Sequence, residues 1–422
     1  MGHWRWVAGR GVAGVALVEA PWRALAKETQ CRFMAGPTWN RAYARAFSFD
    51  VDVRALYFGS HLAAVAAFRA ENGSRTLEEN EHFPVCDVAV DWSLPGVTEA
   101  LLDGWMDGQT ELMLSRLPAD GRLVRTLESV ARARGTDVAV CRSQGDAFIP
   151  LTGGVETVRS LFSGRAIRHE RKLEDSLRAL GNVTFQCETR VSQSLLSEAF
   201  ALEAAGWKGR EGVPMVADPA TKAFYETLVE FGCPNDEIVL NTLRLDGRML
   251  AFELSCRSGG RMDVLKIGYD EAFAAQSPGN VLRWYVLESE AAKGDITSYH
   301  LGRPSRWKTR WATQIEDLAS VRLYSGLAGK ARYWTSIAPR LWAKENLPEV
   351  VSVVRTITGR AAPPAFHPRR PSLAPAALRL VAPPTIDDSP ESASAIAVPE
   401  SGVRRTGEAY EVPAEKKARD AG

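Results

Sequence analysis

The 422-residue chain is short of the features that most readily point to a function. Its six cysteines stand at 31, 86, 141, 187, 233 and 256 with no Cys-x-x-Cys pair, so neither a zinc knuckle nor a disulfide framework has its usual spacing. They read as reduced, buried thiols acting as small hydrophobes. The six histidines are equally scattered and form no His-Glu-x-x-His, so no metal site is legible. No apolar run approaches the roughly 20 residues of a membrane helix. Arg5 and Arg10 precede a short apolar run that Glu19 interrupts, with no clear cleavage site after it, so the chain reads as cytoplasmic and without a secretion signal. Net charge is missing too. Fifty-two Lys and Arg against 51 Asp and Glu make no global field for nucleic acid or anionic lipid. The charge-rich "RAIRHERKLEDSLRAL" mixes its bases with Glu170, Glu174 and Asp175, the pattern of a solvated helix face.

What is present is an ordinary globular composition, rich in tryptophan and long enough for two domains. Gly9-Arg10-Gly11-Val12-Ala13-Gly14 spells G-x-G-x-x-G, but few residues precede it and the following "VALVEAP" resembles a strand. A dinucleotide fingerprint needs a strand before it and a helix after it, so residues 1–14 read as a flexible leader. Residues 15–150 and 151–327 then carry a similar order of helices and strands without visible sequence repetition. In the second stretch, "IVLNTLRLDGRMLAFELSCRSGGRMDVLKIGYD" reads as a three-strand meander with Asp246-Gly247 and Gly259-Gly260 at its turns. Residues 328–360 read as a trailing basic, aromatic helix. From 361 to 422 a Pro, Ala and Ser bias predicts a disordered tail.

After the meander comes "QSPGNVLRWYVLESEAAKG". Ser277 suits an N-cap and Pro278 a first helical position. The N–H groups of Gly279, Asn280 and Val281 would then be the unpaired donors of a helix start, which suits an anion as well as plain capping.

The order and spacing of "CRFMAGPTW", "LFSGRAIRHERKLEDSLRALGNVTF", "ALEAAGWKGREG", "LRLDGRMLAFEL", "LKIGYDEAFAAQSPGNVL" and "LGRPSRWKTRWA" resemble the GNAT-type acyltransferases of the CelD/BcsL group. That group is linked with cellulose and exopolysaccharide production and related in fold to the FemAB aminoacyltransferases. The resemblance implies an α+β fold of tandem GNAT-like units, each a mixed, mostly antiparallel sheet flanked by helices. It implies acetyl-CoA or another acyl-CoA as co-substrate, bound by the second unit, and a sugar or cell-envelope precursor as acceptor. It also implies an association with polysaccharide-biosynthesis machinery. Against the family's pyrophosphate loop, Gln/Arg-x-x-Gly-x-Gly/Ala, Gln276-Ser277-Pro278-Gly279-Asn280-Val281 keeps Gln276 and the first glycine, Gly279, and has Val281 in place of the last small residue. Where the group often has an Asp-x-Gly-x-Gly-Asp-like run before Tyr-Lys, this chain has His300-Leu301-Gly302-Arg303-Pro304-Ser305 and then Trp307-Lys308.

Direct transfer from a thioester needs a deprotonated acceptor, a polarised carbonyl and near-attack geometry, but no covalent intermediate. The residues for those tasks are Glu253 as a base through water, His300 as a group titrating near neutrality, and Tyr269 as the acid that protonates the thiolate. Lys266 and Lys308 suit phosphates or an anionic acceptor. Trp207 with Lys208, and Trp307 with Lys308, suit the acceptor. Two other readings stay open: an aminoacyl-tRNA donor of the FemAB kind, and a catalytically idle GNAT scaffold.

Overall fold

The two glycine-containing turns of the meander form where the sequence places them. Asp246 and Gly247 both take positive φ (49° and 85°), as do Gly259 and Gly260 (56° and 70°), the backbone that tight hairpins of twisted strands require. Around this meander the computed structural model, which describes residues 3–47, 51–77, 85–206, 215–235 and 237–347, builds one large sheet. Its strands are β1 Trp4–Arg10, β2 Val51–Phe58, β3 His61–Glu71, β4 Ser74–Leu77, β5 Ala89–Val90, β6 Glu111–Pro118 and β7 Asp137–Pro150. They continue as β8 Val183–Glu188, β9 Ile238–Leu245, β10 Arg248–Ser258, β11 Arg261–Tyr269, β12 Ser298–Gly302 and β13 Gln314–Tyr324.

Each half shows the same succession. Two helices (Gly11–Glu28 and Pro37–Phe47; Gly154–Ser160 and Gly164–Arg178) lead into antiparallel strands, then a helix (Val97–Met106; Pro278–Lys293), then a strand parallel to its neighbour. The parallel pair is β4·β6 in the first half and β11·β12 in the second; each half then closes with a helix and a last strand. Within the second half, the helices Gln193–Ala205 and Pro219–Gly232 are added between β8 and β9.

The sheet does not break at residue 150. Its order is β1-β2-β3-β4-β6-β13-β7-β12-β11-β10-β9-β8, with β5 beside β3. The last strands are therefore exchanged: β13 pairs with β6 of the first half, and β7 pairs with β12 of the second. β7 and β13 also pair with each other along the middle.

The beginning of the chain differs from the expected flexible leader. Trp4–Arg10 is an edge strand antiparallel to β2, and "VALVEAP" is not a strand but part of the Gly11–Glu28 helix. Val15, Val18, Trp22 and Leu25 are its buried face, a helical spacing that a short apolar run conceals. The glycine motif thus does join a strand to a helix. Gly9 and Gly14 serve packing against each other, since a Cβ on Gly14 would lie 2.4 Å from the Gly9 carbonyl carbon, and Gly11 takes a positive φ (54°). "VCDVAVDW" supplies only the two-residue β5, "SRWKTRWATQ" contains the short Lys308–Trp311 helix, and the trailing helix runs through Gly326–Arg332, a π-turn and Ala338–Asn346. The tail from 361 to 422 lies outside the described residues. Among the described residues no helix is long and apolar enough to cross a membrane.

Arg32 sits just after the first helix, with 1% of its side chain exposed, and reaches the middle of the sheet. Its guanidinium lies 3.2 Å from Asp146 on β7 and 3.6 Å from Asp263 on β11, and it bonds Glu316 on β13. Glu316 faces Asp146 across β13·β7, and Asp263 faces His300 across β11·β12. His300 Nδ1 lies 2.7 Å from Asp146, and its Nε2 2.9 Å from the Ser298 hydroxyl. Burial works against the charge on Asp146, yet His300 and Arg32 hold its carboxyl below the usual range. Burial pushes Asp263 up despite the same two partners. Replacing Arg32 by Met strands buried carboxylates, and should cost about 3–5 kcal/mol of unfolding free energy in urea melts. Adding Asp263→Asn should return part of that loss. An Arg32→Met protein as stable as the parent would show that the cluster does not hold the strands.

Candidate active site

β11 and β12 pair only where Arg261–Asp263 meets Ser298–His300. Beyond that point β12 follows β7, with a register shift between His300 and Gly302, and ends at Gly302 (φ 79°). Residues 264–269 are left with no strand on their β12 side among the described residues. A second irregularity lies on the other side of β11. Between Leu254 and Ser255 the β10·β11 register shifts, leaving Leu265 without an opposite residue and increasing the local twist. The split opens into a cavity of about 630 Å³.

Glu253 from β10 forms part of its wall and is fully buried. Tyr299 donates its hydroxyl to one Glu253 oxygen at 2.5 Å, Ser255 donates to the other at 3.2 Å, and an Arg283 nitrogen lies 3.9 Å away. Burial pushes the Glu253 carboxyl up, against the pull of Arg283 and Tyr299. The Tyr299 hydroxyl is held well above its ordinary value by burial and the Glu253 charge. Arg283 belongs to the Pro278–Lys293 helix and lies against Trp307 and Trp311, at 4.8 and 5.3 Å from the ring centres. Lys308, which leads into the next short helix, is lowered to about 8 by burial first, with the cations Arg283 and Arg303 adding to the effect.

Glu253, Lys266, Tyr269, Ser277, Gly279, Asn280, Trp307 and Lys308 all line this one cavity. Gln276 ends the 3₁₀ turn Glu271–Gln276 beside it but is not part of the lining. Trp207 and Lys208 lie outside the described residues. Two of the expected residues are placed elsewhere. His300 is buried in the Arg32 cluster and does not line the cavity, because its strand turns that side chain toward Asp146. The side chain of Val281 packs into the core beneath the helix.

The helix start also corrects the expectation. Ser277 is in the left-handed region (φ 46°, ψ 57°), and its hydroxyl donates back to the Ala274 carbonyl instead of capping. The Ser277 carbonyl accepts the N–H groups of Asn280 and Val281, at 2.9 and 3.3 Å. Gly279 is left as the first-turn N–H without a protein partner among the described residues. A Cβ at Gly279 would meet nothing closer than Tyr269 at 3.9 Å, so the position is open toward the cavity.

Sequence reasoning missed Arg283, Tyr299, Phe252 and Glu203, all of which line the cavity or bind a residue that does. The signal for Arg283 was a charge among the apolar residues Val281, Leu282, Val286 and Leu287 of one helix. A cation on a buried face needs a partner, and here it has Glu253.

Residues 164–309 match the family model of the acetyltransferase (GNAT) domain. No curated protein sequence matches the chain. Among solved structures, FemX is similar in fold, with a TM-score of 0.53, 13% identity, and coverage of 75% of this chain and 97% of that one. The C-terminal domain of a putative lysylphosphatidylglycerol synthetase from Agrobacterium fabrum aligns at TM-score 0.49 and 13% identity, over 75% of this chain and 94% of that one. A tandem GNAT protein from the clavulanic acid biosynthesis pathway aligns at TM-score 0.40 and 11% identity, over 76% of this chain and 99% of that one. Residues 164–309 thus carry a GNAT-type fold, and the chain as a whole shares the mixed, helix-flanked sheet of FemX.

Lys308 gives a direct check on the electrostatics of the cavity. Site-resolved mass spectrometry after brief acylation across pH should show its labelling rising through about pH 8 and then levelling. Exposed lysines, with pKa values of about 10.4, should still be climbing at pH 9 to 10. A Lys308 curve that climbs with them would contradict the depression.

Proposed function

We propose that the protein is an acyl-CoA-dependent acyltransferase, moving an acyl group, foremost acetyl, to an amine or hydroxyl of a sugar or cell-envelope precursor. The observation that carries this reading is the divergence of β12 from β11 after Asp263. Residues 264–269 of β11 line a cavity that has the Gly279 helix start at the Tyr269 end and the buried Glu253 opposite Ile267. Thioester and acceptor share one cavity there, and the step is direct attack: the acceptor nitrogen or oxygen bonds to the carbonyl carbon, and the carbon–sulfur bond then breaks.

Each group has a task that fits its surroundings. Backbone N–H groups of β11 beside the cavity polarise the thioester carbonyl. Glu253, raised by burial, takes the acceptor proton through water with a pKa nearer the working pH than an exposed carboxyl would have. Tyr269 protonates the departing thiolate. Gly279 receives the pyrophosphate, with Ser277, Asn280 and Lys266 about it. Trp307 offers a half-exposed ring to a sugar, beside Lys308. The resemblance to the CelD/BcsL group supports an exopolysaccharide or cellulose precursor as acceptor and work alongside a polysaccharide-synthesising complex.

One observation favours a second donor. A helix mouth with a single free N–H grips a pyrophosphate less well than one with three, and an aminoacyl ester of tRNA has no pyrophosphate to grip. An idle scaffold is the remaining alternative, and turnover separates it from both.

Calorimetry with acetyl-CoA should show binding by the parent. Gly279→Asp should lose tenfold or more, because a hydrogen bond to a charged group contributes about 1.5–3 kcal/mol and 1.4 kcal/mol is a factor of ten. Its melting temperature should stay at the parent's, since an acidic residue is welcome in a helix's first turn. Glu253→Gln should keep donor binding and lower kcat by roughly 10²–10⁴. If the parent binds no acyl-CoA, the reading fails, and a charged tRNA is the donor to assay next.

A further inference from the structure

After β13 the chain forms the Gly326–Arg332 helix and carries on through the π-turn Tyr333–Ile337. One side of this segment is fixed to the sheet. Gly329 comes so close that a Cβ would lie 2.4 Å from the Thr110 carbonyl oxygen, and the Tyr333 ring centre is 5.5 Å from that of Tyr324. Arg332 reaches the buried Glu111 at 2.5 Å. The other side carries Leu327, Ala331 and Trp334, at spacings of four and three that place them on one helix face. Leu327 is 91% exposed and Trp334 63%, with exposed Lys330 between them. The placement is odd for a well-packed protein, since large apolar side chains are aimed outward from a helix anchored by a glycine on its back.

The charge on this segment decides what covers it. From Gly326 to Leu341 the only ionisable side chains besides Tyr333 are Lys330, Arg332 and Arg340, and there is no carboxylate. A second copy docking through the same face would set like charges against each other. An anionic surface would not. A short helix with Leu and Trp outward and cations beside them matches the pattern of helices that lie in the membrane–water boundary, where tryptophan rings are enriched.

We propose that the Leu327–Lys330–Trp334 face docks the protein on an anionic lipid surface. Leu327 and Trp334 enter the boundary between headgroups and acyl chains, and Lys330 and Arg340 meet lipid phosphates. The proposal is independent of the acyl-transfer reading, because none of these residues lines the catalytic cavity.

Co-sedimentation of the full chain tests it, with vesicles of phosphatidylcholine alone and of phosphatidylcholine mixed with phosphatidylglycerol. The parent should bind the anionic vesicles and release with added salt, since each basic residue near the surface contributes about 1 kcal/mol that is screened within a Debye length. Leu327→Glu should lower binding about tenfold or more at an unchanged melting temperature, and Lys330→Glu should lower it about several-fold. Four results would each overturn the proposal. They are a parent that binds no vesicles, equal binding to both vesicle types, a Leu327→Glu protein that binds like the parent, and a vesicle-indifferent parent dimer that Leu327→Glu converts to a monomer.

Discussion

A single guanidinium, that of Arg32, holds the middle of the sheet. It gathers Asp146, Asp263 and Glu316 from three strands that come from both halves of the chain. Those strands lie where the exchange occurs, so the cation sits on the seam that makes the two halves one sheet. Side chains of like charge facing each other across β13·β7 would repel without it. The same cluster takes in His300, and that fixes how β12 leaves β11. The His300 imidazole ties β12 to Asp146 on β7, and beyond this level β12 pairs with β7 and no longer with β11. The opening beside Val264–Tyr269 begins at this divergence and at the β10·β11 register shift. The candidate site thus opens directly beside a buried ionic cluster that lies outside it.

Much of the architecture was legible because its signals are local. The Asp246-Gly247 and Gly259-Gly260 turns, the meander between them, and the Pro278–Lys293 helix closed by Gly294 depend on backbone chemistry that a few residues specify. The exchange of β7 and β13 was not legible, because nothing local distinguishes a strand's own partner from a partner in the other half. The first helix was misread for a related reason. "VALVEAP" is too short for period to separate a helix from a strand, and the deciding residues, Trp22 and Leu25, come after it.

At the site, residue type was easier to read than direction. Glu253, Lys266, Tyr269 and the Ser277–Asn280 turn do meet in one cavity. His300, chosen as a group titrating near neutrality, and Val281, chosen for its place in the loop at the helix start, point their side chains away from it, one into the ionic cluster and one into the core. Arg283 was passed over because its neighbours in sequence are apolar, although its partners Glu253, Trp307 and Trp311 make it the link between the strand side and the loop side. The Ser277 carbonyl satisfying two N–H groups is a matter of one left-handed residue, which serine does not announce.

The exchanged strands also set an order of events in time. β6 lies toward the beginning of the chain and its partner β13 toward the end, with Pro118 opposite Leu318. During synthesis the edge of β6 waits unpaired while nearly the whole second half is made, and an unpaired edge is the part of a sheet most open to wrong partners. Folding that depends on so distant a pairing is slow to nucleate. The first half can gather its helices and its outer strands early, but its sheet is finished only when the second half's last strand slides between β6 and β7.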